Sequence, residues 1–84
     1  MQPHEEAATA DYQLIVEKRI VIEKREIDEK LAILRAFCFS PGSPVFRALP
    51  LVDRVLLEDQ FSFMMGYSAI LGQRIARCHG RVLR

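Results

Sequence analysis

Residues able to do chemistry are few in this chain, and the most suggestive lie in its second half. Tyr67 and Arg74 are seven residues apart, which puts them on one helical face two turns from each other, with Gln60 a further seven residues earlier and Arg77 three later. An aromatic ring can stack on a base, an arginine can hold a phosphate bidentately, and an amide can read a base edge. Each has an ordinary reading as well. A tyrosine in such a place commonly packs in a core or interface with its hydroxyl at the rim. Arg74, Arg77, Arg81 and Arg84 also suit the end of a helix, where cations offset the dipole. Lys24, Arg25 and Lys30 are weaker binding candidates, because a charged helical face is usually just solvated.

Other chemistries find little support. The chain has no Gly-rich phosphate loop, no His-Glu-x-x-His and no serine in a nucleophile elbow. Asp53, Glu58 and Asp59 fall early in the second helical segment, where the dipole accounts for them. No enzyme and no cofactor are expected. Metal binding would need clustered ligands, and the sequence offers only Cys78-His79 with a distant His4.

The elements that must position these residues are helical. Between Asp11 and Phe39 there is no Gly or Pro, and Tyr12, Val16, Ile20, Ile27, Leu31, Leu34 and Cys38 form a stripe at helical spacing. Ser40-Pro41-Gly42-Ser43-Pro44 ends that helix, since Pro41 disfavours helix at the residue before it. Val45 to Leu49 suggest a short turn. Pro50 suits the first turn of a second helix, with Asp53 near its positive end. That helix continues through Leu56, Leu57, Phe61, Met64, Ser68, Leu71, Ile75 and Cys78 to Gly80, a C-cap candidate.

The expected organisation is a flexible lead-in over 1–10, a hairpin domain over 11–79 and a basic tail over 80–84. Within the domain, helices cover about 11–39 and 50–79, joined by a linker over 40–49. Matched lengths make the fold an all-α antiparallel helical hairpin. In that arrangement Cys38 and Cys78 lie at opposite ends, too far apart for a disulfide, and are expected as reduced core thiols.

One hairpin cannot cover all its apolar surface. Ile15, Ile22 and Ile33 widen the first stripe, and Leu56, Phe63, Tyr67 and Ile70 widen the second. A line of small residues, Ser62, Gly66, Ala69, Gly72 or Gln73, and Ala76, would permit a close helix crossing, within the hairpin or between subunits. At 84 residues a single core is marginal, so assembly into a homo-oligomeric helical bundle, dimer or tetramer, is expected.

Charge limits the partners. The net charge of +1 argues against a general nucleic-acid or membrane-surface binder. The start lacks the basic and apolar regions of a signal peptide, and the uncharged run from Phe61 to Gln73 is short of the ~20 residues that span a bilayer. A cytoplasmic protein is expected.

The pattern Ile27-Asp28-Glu29-Lys30-Leu31, Leu34, Phe37, Leu49-Pro50, Leu56-Leu57, Gln60, Met64-Met65, Tyr67-Ser68-x-Ile70-Leu71 and Arg74-Ile75 resembles a family of small helical-hairpin proteins of tailed bacteriophages. The similarity covers about residues 12–76; its most specific piece is Tyr-Ser-x-Ile-Leu-x-x-Arg-Ile. The chain departs from the pattern in a longer start to the first helix, Tyr12 to Ile22, and in the Ser-Pro-Gly-Ser-Pro linker. The resemblance implies a link to phage anti-CBASS sponge proteins, which oligomerise and sequester the cyclic nucleotide signals of bacterial immunity. It therefore implies immune evasion in the host cytoplasm through binding of a cyclic dinucleotide. Two rivals stand beside that expectation: a protein interaction module that docks on a host protein, and an RNA or DNA accessory protein using the cationic tip, for which four arginines without clustered aromatics are a weak footprint.

Overall fold

A computed structural model describes the backbone of residues 3–82 and the side chains of residues 15–78. Among these residues there are three helices and no strand: α1 (Pro3–Cys38, 36 residues), α2 (Pro44–Ala48, 5 residues) and α3 (Leu51–Val82, 32 residues). The molecule is a rod of 62 × 20 × 14 Å in which α1 and α3 pack along each other.

Both long helices extend past their expected ends. α1 begins at Pro3 and so takes in most of the flexible lead-in expected over 1–10. Pro3 suits a first helical position, where its missing N–H would have had no partner, and the alanines at 7, 8 and 10 favour continuation. At the other end, α3 passes through Gly80 to Val82. An internal glycine costs about 1 kcal/mol relative to alanine, which a helix of this length tolerates. The side chains of Tyr12, Arg81 and both histidines, and all of residues 1–2 and 83–84, lie outside the described residues.

The hairpin turn is built from its own backbone and caps. Gly42 N–H donates to Ala36 O at 2.9 Å and Ser43 N–H to Phe37 O at 2.9 Å, satisfying carbonyls left open by the end of α1. Gly42 has φ +78°, a conformation in which any side chain would be strained. Ser43 then caps α2, its Oγ accepting from Val45 N–H at 3.1 Å, with Pro44 at the first helical position. The expected short turn over 45–49 is thus a helical turn that buries Phe46, whose ring meets Phe37 edge-on at 5.6 Å. α3 starts one residue after Pro50, whose carbonyl accepts Arg54 N–H at 3.1 Å.

The seam between α1 and α3 follows alternating steps of four and three. On α1 it comprises Ile20, Lys24, Ile27, Leu31, Leu34 and Cys38; on α3, Leu57, Phe61, Met64, Ser68, Leu71, Ile75 and Cys78, all buried or half-buried. This is heptad packing in an antiparallel pair. Leu71 is fully enclosed. Leu56, by contrast, points outward at 60% exposure, and Leu57 takes the seam. Cys38 and Cys78 are both free and buried. Burial pushes the Cys38 thiol up from its ordinary value, with the Glu58 charge adding to the effect.

Candidate functional site

Heptad geometry gives the hairpin two flanks, and Lys30, Gln60, Tyr67 and Arg74 share one of them. On one flank the side chains next to the seam recur every seven residues: Glu23, Lys30 and Phe37 on α1, and Gln60, Tyr67 and Arg74 on α3. Between the two rows runs a cleft of about 360 Å³ lined by Glu23, Glu26, Ile27, Lys30, Gln60, Met64 and Tyr67. It continues into a more apolar hollow of about 330 Å³ that shares Lys30, Gln60 and Met64 and adds Ile33, Leu34 and Phe37. Lys30, Gln60 and Tyr67 are therefore brought together from two helices.

Within the cleft, Tyr67 donates its hydroxyl to Glu23 Oε1 across the helix pair. This bond, followed by desolvation and the Glu23 charge, holds the Tyr67 phenol above its ordinary 10.0, while the Arg74 charge pulls it back. Gln60 Nε2 approaches Met64 Sδ at 3.7 Å. Arg74 is exposed beyond Tyr67, close enough to act on it electrostatically. Arg77, also exposed, is not among the residues lining either hollow.

Lys24 belongs elsewhere. Its Nζ donates to Asp28 Oδ2 at 2.9 Å and to Ser68 Oγ at 2.9 Å, and Ser68 Oγ donates to Asp28 Oδ1 at 2.5 Å. The lysine thus joins a polar layer at the seam, and its stem passes over Gly72, where an added Cβ would meet Lys24 Cε at 3.4 Å. On this flank Arg35 also reaches Met65 Sδ at 3.7 Å and lies over the Phe61 ring at 5.1 Å.

Sequence reasoning missed Glu23 and Glu26. Arg74 and Arg77 lie in a stretch of α3 without acids, but that neighbourhood is acid-free only along its own helix, because α1 supplies both carboxylates to the cleft. The available signal was the heptad step from Glu23 to Lys30, which becomes informative only once the register of the two helices is known. The small-residue line is corrected too: Ser62, Gly66, Ala69 and Ala76 are exposed, and a Cβ added at Gly66 would meet nothing within 4 Å, so no tight crossing inside the hairpin uses them. Among the described residues no group of three or more His, Cys, Asp or Glu could hold a metal ion, and no helix is long and apolar enough to cross a membrane.

No curated protein and no solved structure matches the chain. Residues 14–77, which include the whole cleft and all of both seam stripes but Cys78, match the family model described as Sequestin. The chain therefore belongs to the Sequestin family.

Proposed function

We propose that this protein binds a cyclic oligonucleotide second messenger in the cleft between α1 and α3 and sequesters it without cleaving it. It does so as a phage-encoded immune-evasion protein in the cytoplasm of the bacterial host. The observation that carries the reading is the convergence of Lys30, Gln60 and Tyr67 on one cleft, with Arg74 beside it. The family's name, which denotes sequestration, supports the same direction. Tight stoichiometric holding requires a stacking surface, hydrogen-bonding groups and cations at phosphate positions, and no reacting group.

The functional form is a homo-oligomer. The cleft opens to solvent between ridges bearing Ile33, Phe63 and Ile70, all exposed in a single hairpin, and a second copy laid over them would both cover the ridges and close the cleft. The same exposed side chains favour the rival reading, docking onto a host protein.

Native mass spectrometry of the purified full chain, alone and with a panel of cyclic di- and trinucleotides, tests the proposal, because it reports stoichiometry and ligand together. One nucleotide retained at a fixed ratio per oligomer is the expected result. Arg74→Ala should weaken that binding by roughly ten- to a hundredfold, as one charge-assisted contact is worth about 1.5–3 kcal/mol, and should leave helix content unchanged. Absence of any bound nucleotide, with a single host protein captured stoichiometrically from bacterial lysate, replaces this reading with the interaction-module one.

A further inference from the structure

A row on α3 stays uncovered once the seam and the cleft have taken their residues. Leu56, Phe63, Ile70 and Arg77 recur along it every seven residues, all of them exposed. The row that borders the cleft through Tyr67 runs beside it and begins at Asp53, also exposed. Arg77 lines neither hollow, and among the described residues Lys24 and Asp28 form the one ion pair, so Asp53 and Arg77 are not paired there. Water satisfies such charges. Their placement along the helix is what carries information.

Charge along α3 is sorted by sign. The exposed acids Asp53, Glu58 and Asp59 precede Gln60, the exposed cations Arg74 and Arg77 follow Gln73, and no charged residue lies between. Arg54, the cation of the first half, is half-buried, and its Nε donates to Leu49 O at 3.1 Å. A face with acids at one end, apolar side chains in the middle and cations at the other is complementary to itself when reversed. Two such helices laid parallel set like charges together, whereas an antiparallel pair about a two-fold axis sets each acidic end against the other copy's basic end. The register that pairs Asp53 with Arg77 puts the axis level with Met65, twelve residues from each. That register also brings Phe63 level with the second copy's Tyr67, each two residues from the axis. A second copy carries the matching pattern by necessity; an unrelated protein does not.

We propose that two copies of the chain pair antiparallel through this face of α3, with Asp53 of each opposite Arg77 of the other and Phe63 of each against the other's Tyr67. The second copy thereby contributes a side chain beside the cleft that one hairpin lacks. The inference rests on the homo-oligomeric reading above, to which it gives a face, a direction and a register, and it is independent of what the cleft holds.

Two measurements on the full chain test it. The first is reciprocal charge exchange followed by analytical sedimentation. Asp53→Arg or Arg77→Asp alone turns two attractive pairs per dimer into two repulsive ones and should weaken dimerisation by about tenfold, whereas the two substitutions together should recover most of that loss. Circular dichroism accompanies it, because Asp53 also lies in the first turn of α3, at the positive end of the helix dipole. The second measurement leaves these charges alone. With Cys38 and Cys78 replaced by serine, a nitroxide on Val52→Cys or on Gln73→Cys reports the distance between copies by pulsed electron paramagnetic resonance. Val52 is thirteen residues from the axis and Gln73 eight, so their separations along the helices should be about 39 and about 24 Å at 1.5 Å per residue. Nearly equal distances at the two sites, as parallel pairing would give, or a double exchange that recovers nothing, overturn the inference while leaving homo-oligomerisation and sequestration standing. A native protein that is monomeric, whether free or joined to a host protein, overturns it together with the homo-oligomeric reading. Sequestration is then judged separately, by nucleotide retention.

Discussion

Asp28 makes the seam sensitive to acid. Its carboxylate accepts from Ser68 and from Lys24, and these bonds, the serine's first, hold its pKa below the ordinary 3.8 against opposing desolvation. A depressed folded-state pKa contributes stability that is present above the unfolded value and lost as pH falls through the folded one. The expected result is that urea midpoints of the native protein drop as pH is lowered from 3.8, whereas Asp28→Asn starts lower and shows a flatter acid limb. Parallel acid limbs in the two proteins would contradict that assignment. At this scale the sequence was legible for residue type and not for partnership. Lys24 reads as one more solvated charge until Ser68, 44 positions away, is seen opposite it, and Glu23 reads the same way until Tyr67 is. Tyr67 and Gln60 were visible because aromatic and amide side chains at heptad spacing suggest recognition on their own.

Helix identity, direction and seam were written in the apolar spacing of each element, which is why Ile20, Leu31, Cys38, Leu71 and Cys78 are buried where the stripes place them. Helix ends were less legible. Termination depends on small local differences, so an alanine-rich stretch carries α1 back to Pro3 and a lone Gly80 does not stop α3. Register was not legible at all, because it depends on the turn: Gly42, the Ser43 cap and the buried Phe46 of α2 fix how far α3 is offset from α1. The polar layer then opposes slippage, since a one-heptad shift would separate Lys24 from Ser68. A test at this scale uses glycine. Gly66 sits inside α3 with open space at its Cβ position, so Gly66→Ala should raise the urea midpoint by the equivalent of about 0.5–1 kcal/mol. A fall in stability instead would reveal another chain packed against that face.

At the scale of the whole molecule, the rod leaves much of its apolar surface unburied. Ile33 is 72% exposed and Phe63 79%, and Leu51, Val52, Leu56 and Ile70 are also more than half exposed. Two packed helices have one mutual seam, so residues on their outer faces are covered only by further helices, the reason a hairpin of this composition is read as half or less of a bundle. Covering Phe63 contributes about 1.5–3 kcal/mol, and in a two-fold dimer each interface covers two copies, together roughly 3–6 kcal/mol or two to four orders of magnitude in the association constant. Phe63→Glu should therefore dissociate the assembly. Because the side chain is exposed in the single hairpin, the intramolecular seam should be left in place. Light scattering at micromolar concentration should give the native protein at least twice the 9.7 kDa chain mass and the variant close to one chain mass, with helical circular dichroism retained. A native protein that scatters as a 9.7 kDa monomer refutes self-association. An oligomer unaffected by Phe63→Glu moves the interface to another face, and the proposed nucleotide would then have to be held in a cleft formed by one hairpin alone.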